Sequence, residues 1–226
     1  MPAYVWRTLQ DLRQELRARL GHQATGAASG ASNPIIDSFL RTSQEYIYWM
    51  ADWKKLTAYF DDTIGAAQNL LDYPTDANPD RLYTPPGSKS PIWVQYSSRW
   101  LSLSEGITVD HWDTMDNQNS YPTRYERYDQ LLFWPKSNAV YTLKIWYIKK
   151  LERFTQENDR ASVDDNLILT HALAKAKAHY RHPDANLYVS EWSTLEARVK
   201  GGTIGQNSVI RRTDPNTEPL PKPVVV

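Results

Sequence analysis

Residues 141–147 read Tyr141-Thr142-Leu143-Lys144-Ile145-Trp146-Tyr147, and this run decides the fold class. Tyr141, Leu143, Ile145 and Tyr147 recur every second residue, the rhythm of a half-buried strand, with Thr142, Lys144 and Trp146 facing the other way. A helix would scatter those four residues around its circumference. The same alternation precedes it in Leu56, Ala58 and Phe60 and again in Ile92, Val94 and Tyr96. Shorter candidate strands lie at 70–73, 81–84, 124–128 and 131–134, each bounded by Pro, Asn, Asp or Gly. Lys136, Ser137 and Asn138 supply a turn into the long strand, and a short helical turn is expected at 105–112. The middle of the chain is therefore expected to be antiparallel β structure.

On both sides of it the period changes to that of helices. Val5, Leu9, Leu12, Leu16 and Leu20 form one face, Arg7, Arg13, Arg17 and Arg19 the other, and Gly21 a C-terminal stop. A loop rich in Gly, Ala and Ser follows, at 21–32. Asn33-Pro34 then reads as an N-cap and first-turn proline for a helix burying Ile36, Phe39, Leu40, Ile47 and Met50. Near the other end, Ser162 is expected to cap a helix with Leu169, Leu173, Ala176 and Tyr180 inward, stopped by Pro183. Asp184 opens a last helix with Tyr188, Trp192, Leu195 and Val199 inward, and Gly201-Gly202 is expected to break it. Pro215, Pro219, Pro221 and Pro223 keep the remainder out of regular helix. The fold class is thus α+β: a helical bundle of two N-terminal and two C-terminal helices, an inserted antiparallel β subdomain and an extended C-terminal arm. The expected boundaries are 1–52, 53–150, 151–203 and 204–226.

Composition narrows what such a chain does. Its 226 residues carry a formal net charge of +0, which argues against a broad basic face that grips nucleic acid. There are no cysteines, so disulfides, thiolate zinc sites and cysteine nucleophiles are excluded. Met1 to Arg7 lack an apolar signal region and no apolar run reaches membrane-spanning length, so a soluble protein made in the cytoplasm is expected. Tryptophan and tyrosine, 9 and 14 residues against 4 phenylalanines, combine buried area with a polar end and are enriched where proteins meet.

No reacting centre emerges from the spacing, and no cofactor or metal is expected. His171 and His179 lie two helical turns apart, too far to share a metal without other ligands; His179 and His182 are closer, but no carboxylate completes them, and His22 and His111 carry no motif. Asp61 and Asp62 point to opposite faces of a strand, while Asp164 and Asp165 suit the first turn of a helix. Gly201, Gly202 and Gly205 follow a helix instead of opening one, so they do not cradle phosphate. Two rival classes remain open: a carbohydrate-binding module using aromatic strands, and a small hydrolase whose Asp and His groups converge from distant positions.

The order of pieces resembles the head-to-tail adaptor (connector) family of tailed bacteriophages. Leu71-Asp72-Tyr73-Pro74-Thr75-Asp76 is similar to that family's Tyr-x-Leu-Pro-x-Asp segment, and Tyr121-Pro122-Thr123-Arg124-Tyr125 to its Gly-x-Pro-x-x-Tyr strand entry. Ser120 and Tyr121 stand where the family's glycine would be. The stretch from Leu131 to Tyr147 resembles the family in its strand, Pro and Tyr-x-Leu-x-Ile-x-Tyr order, and Leu151 to Phe154 then cross to the paired helices. The resemblance implies a non-catalytic virion protein at the head–tail junction. It forms a ring, commonly twelve-fold, that binds the portal protein and a downstream tail protein, while genomic DNA passes through without specific binding. It also implies that a C-terminal arm reaches the portal, with Ile204, Val209, Ile210, Arg211, Arg212, Val224, Val225 and Val226 as candidate contacts. Trp93, Trp100, Trp112 and Trp146 are candidates for contacts between copies. A tail nozzle, neck stopper or tail-completion protein has the same composition and is the alternative within the virion.

Overall fold

The computed structural model describes residues 6–21, 33–115 and 119–207, with side chains up to Gly201. In chain order the elements are α1 (Leu9–Arg19), α2 (Asn33–Met50), β1 (Thr57–Ile64), β2 (Leu70–Leu71), β3 (Ala77–Leu82), β4 (Ile92–Tyr96), β5 (Arg99–Ser102) and β6 (Ser104–Glu105). They continue with α3 (Val109–Asp113), β7 (Asn119–Ser120), β8 (Arg124–Arg127), β9 (Leu131–Trp134), β10 (Lys136–Ser137), β11 (Tyr141–Lys149), α4 (Asp165–His179) and α5 (Ala185–Asn207). The fold is mixed α+β, as the alternation in 141–147 requires.

β11 is the central strand. It pairs antiparallel with β1 from Tyr141 to Ile148, with β4 over Leu143–Ile145, and with β3 at Tyr147 and Lys149 across a register shift. β4 continues to β5, so β1 and β5 are the edges of this sheet. A second sheet runs β2-β9-β8-β6, and β10 pairs with β7. Not every pairing is antiparallel, contrary to expectation: β6 with β8 and β10 with β7 run parallel. These are two-residue pairings between segments well apart in the chain, Ser104 with Arg124 and Lys136 with Asn119, so no hairpin turn dictates their direction.

Two apolar cores follow from this layout. Ile64, Ile92, Val94, Tyr125, Phe133, Leu143 and Ile145 pack the space between the sheets. Leu9, Leu12 and Leu16 of α1, Ile36, Leu40 and Ile47 of α2, Ile168, Leu169, Ala172 and Leu173 of α4 and Trp192 of α5 form the other, joined by Ile148 from the end of β11. Phe39 and Met50, expected inside, are half-buried at its margin.

Several ends differ from the sequence reading. α1 starts behind Thr8, whose hydroxyl accepts from the Asp11 N–H while the Asp11 carboxylate accepts from the Thr8 N–H. Gly21 takes a φ of +77° just past this helix, as a left-handed stop demands. Val5 and His22, like most of the Gly/Ala/Ser loop, lie outside the described residues. Asp164, not Ser162, caps α4 through the Asn166 and Leu167 N–H groups; the Ser162 hydroxyl instead donates to the Glu152 carbonyl. α5 does not break at Gly201-Gly202 but continues to Asn207. A helical glycine costs only about 1 kcal/mol relative to alanine and leaves every backbone hydrogen bond possible, whereas the first true breaker, Pro215, lies further on.

Charged groups also depart from expectation. Arg13 and Arg17 are buried rather than solvated. Arg13 forks onto Asp37 of α2 at 2.7 and 2.9 Å and reaches Glu157 at 2.8 Å, and Arg17 bonds the Asn33 side chain. Asp165, expected to serve only the helix dipole, is 0% exposed. It accepts from the Arg7 N–H at 3.0 Å and from Arg7 Nε at 2.9 Å, fastening the segment before α1 onto the start of α4.

Candidate functional site

Strand pairing sorts side chains between the two faces of the large sheet. On the inner face Phe60 stands opposite Ile145, and Val94 opposite Leu143. On the outer face Tyr59 stands opposite Trp146, Asp61 and Trp93 flank Lys144, and Ser102 and Trp100 lie across from Trp93 and Gln95. Three of the four tryptophans singled out from sequence thus share one sheet face. The fourth, Trp112, is 48% exposed on α3, outside that sheet.

The outer face is organised around one cation. Lys144 Nζ lies 3.3 Å from an Asp61 carboxylate oxygen, 4.7 Å from the centroid of the Tyr59 ring and 4.9 Å from that of Trp100. Tyr59 and Trp146 meet at 5.0 Å between ring centroids. Trp146 and Trp93 are half-buried, the Trp93 indole N–H donating to the Ser90 carbonyl at 3.0 Å. Tyr59 and Trp100 remain 56% and 38% exposed. Large aromatics held by cross-strand neighbours lose little freedom when a second protein covers them, which makes such a face suited to association.

A joint connects this sheet to the helices. Arg81 of β3 donates to the Tyr48 carbonyl at 2.6 Å, the Ala51 carbonyl at 3.0 Å and the Asp52 carboxylate at 2.6 Å. Its guanidinium also lies over the Tyr48 and Trp49 rings, 4.8 and 5.3 Å from their centroids. It therefore closes carbonyls that the end of α2 leaves without helical partners. The Tyr48 hydroxyl donates to the Lys149 carbonyl at the end of β11.

The carboxylates of one open polar cleft are engaged in structural contacts. An open cleft of about 680 Å³ is lined by Asp80, Glu105, Glu126 and Asp129 with Arg127 and Tyr128. Glu105 there pairs with Arg127 at 2.7 Å, and Glu126 accepts the Ile107 N–H at 2.9 Å, so both carboxylates already hold loops and strands together. Asp61 engages Lys144 while Asp62 takes the Thr63 N–H, as their opposite faces predict. Among the described residues no three His, Asp or Glu groups stand close enough to hold a metal ion, and no helix is long and apolar enough to cross a membrane.

The family model described as SU10 adaptor protein matches residues 7–218, nearly the whole chain. The chain belongs to the SU10 adaptor protein family. No curated protein matches it. Membership bears out the phage-adaptor resemblance read from the order of helices and strands, and it favours a structural, non-enzymatic role. Of the arm contacts expected for such an adaptor, Ile204 lies within α5, while Val209, Ile210, Arg211, Arg212, Val224, Val225 and Val226 lie outside the described residues. Sequence reasoning gave Asp165 and Arg13 only a helix-dipole and a polar-face role and singled out nothing at Arg81. No local signal points to Arg81, whose side chain is largely covered and whose acceptors Tyr48, Ala51 and Asp52 lie about thirty residues away in the chain.

Proposed function

We propose that this adaptor-family chain joins phage head to tail by forming a ring, twelve-fold by its family resemblance, beneath the portal. The outer sheet face carries this reading: Tyr59, Trp93, Trp100 and Trp146 around Lys144 form a wide aromatic surface that meets a neighbouring copy. Closed rings need two different complementary patches on every subunit, and a rigid strand face supplies one of them. The segment after α5, through Val209, Ile210, Arg211, Arg212 and Val224–Val226, docks on the portal by ordering there, and the next tail protein binds the far side of the ring. DNA passes through the ring as a neutral chain would let it, without a basic grip.

Native mass spectrometry of the chain mixed with its portal protein tests the proposal. The intact chain is expected to give a ring-on-portal complex, and truncation after Asn207 to give a folded subunit that no longer attaches. The double variant Tyr59→Ala/Trp100→Ala is expected to bind single copies without closing a ring. Ring closure by that variant, or attachment by the truncated chain, refutes the corresponding contact.

A further inference from the structure

α5 leaves α4 through a tight turn in which Arg181 adopts a φ of +52°, just ahead of Pro183. Among the described residues of α5, Trp192 alone is buried; Tyr188, Leu195 and Val199 rest half-buried on the same core. The Trp192 ring lies 4.6 Å from the imidazole of His171 on α4 and 6.3 Å from Tyr46 on α2. Tyr46 stacks on that imidazole at 4.7 Å with the planes 17° apart. His171 is 5% exposed, and its Nδ1 is buried with no hydrogen-bond partner. The seat of α5 is therefore an imidazole held between two aromatic rings, with a nitrogen that would have no acceptor for an added proton.

We propose that His171 and Trp192 form a proton-sensitive latch: a neutral imidazole seats α5 on α2 and α4, and protonation releases α5 as a unit while the other helices stay packed. The chemistry around the ring supports this. The groups facing it are Tyr46 from α2, Lys175 from α4, and Glu196 with Lys200 from α5. Burial, aided by the Lys175 charge, holds His171 down from 6.5 to about 4. Glu196, bonded to Lys200 at 2.5 Å and to the Tyr46 hydroxyl at 2.6 Å, is held below its ordinary 4.5 and so stays ionised at pH 5. The Tyr46 hydroxyl is pushed above its ordinary 10 by that same bond to Glu196 and stays neutral. A seated imidazole that resists protons gains them once released, so the seat weakens below pH 6.5 and the weakening is complete near pH 4. Between pH 7 and pH 5 the opening constant of α5 is expected to rise roughly twenty-fold. The latch is a property of the single chain and stands or falls apart from the ring.

Hydrogen–deuterium exchange of the full chain at pH 7 and pH 5, corrected for intrinsic exchange, tests it. Amides of α5 are expected to lose about twenty-fold in protection relative to those of α4. His171→Phe, which keeps an aromatic ring but cannot titrate, is expected to abolish the pH dependence; His171→Leu serves the same end if phenylalanine does not fit. Equal protection of α5 at both pH values overturns the latch, and so does a gain of protection from an imidazolium favoured by its two ring neighbours. Loss of α4 and α5 together, or an unchanged pH response in the substituted chains, overturns it as well.

Discussion

Replacing Arg81 with methionine removes every donor that Arg81 supplies to the joint while keeping an unbranched apolar stem against Tyr48. Two hydrogen bonds from a charged donor to the Tyr48 and Ala51 carbonyls are lost, at about 1 kcal/mol each where one side is part-exposed. The ion pair with Asp52, which is nearly half exposed, adds only about 0.5 kcal/mol. The cation over the Tyr48 and Trp49 rings adds about 0.5 kcal/mol more. Arg81→Met is therefore expected to destabilise the chain by about 3 kcal/mol. Arg81→Lys should recover less than half of that, because one ammonium cannot reach three acceptors spread across a fork. Urea denaturation followed by far-UV circular dichroism measures the loss as a shifted midpoint, and a double-mutant cycle with Asp52→Asn isolates the ion pair. A loss below 1 kcal/mol for Arg81→Met, or a lysine variant as stable as the parent, would refute the joint as argued.

Two further outcomes follow from buried groups and backbone. Asp165→Asn removes the charge that Arg7 grips and is expected to cost about 2–3 kcal/mol, less than a fully buried pair because Arg7 is a quarter exposed and keeps Glu15 and Asn166. Against the upward push of burial, the Arg7 guanidinium and N–H, with the Asn166 N–H, hold the Asp165 carboxyl below its ordinary 3.8, so this stabilisation is present above that value and is lost as pH falls through the lower folded value; the acid limb of stability should flatten in the variant. Gly201→Ala adds a methyl group where nothing lies within 4 Å. It should stabilise α5 by about 0.5–1 kcal/mol, seen as slower amide exchange over residues 195–207; unchanged exchange there would mean that the helix does not run through Gly201.

The alternation of Tyr141 to Tyr147 carried most of the fold, because two faces of different polarity leave a two-residue rhythm that no other structure mimics. The same parity placed Trp93, Trp100 and Trp146 on one surface, since pairing with Lys144, Gln95 and Tyr59 keeps side chains on the face that their position in the strand assigns. Trp112 escaped that logic because it sits on a separate short helix. The buried arginines were illegible for a different reason. Arg13 reads as a solvated charge until Asp37 and Glu157, 24 and 144 residues away, are brought to it, and no local pattern announces so distant a partner. His171 likewise carries no motif; its character comes from Tyr46 and Trp192, which belong to two other helices. Gly201-Gly202 misled because a glycine pair weakens a helix without forbidding it, and the tertiary contacts of Leu195 and Val199 keep the chain helical up to that point.

β11 explains why these parts act together. Leu143 and Ile145 belong to the core between the sheets, Ile148 to the helical core, and Trp146, between them, reaches the outer aromatic face while packing against the helical core. A strand that is common to both cores cannot rotate one without shifting close-packed residues of the other. Arg81 then pins the neighbouring strand to the last turn of α2, so the outer face and the helical unit are fixed to each other at two separate places. Under the proposed ring contact, a load on Tyr59 or Trp100 would be delivered to the helical core rather than absorbed by bending. α5 is the exception: among its described residues Trp192 alone is buried, with Tyr188, Leu195 and Val199 half-buried on the same core and Glu196 bonded to the Tyr46 hydroxyl. In the ring proposed above, this division would have a physical use: a rigid face for contacts between copies, and a less deeply seated helix leading into the segment proposed to dock on the portal.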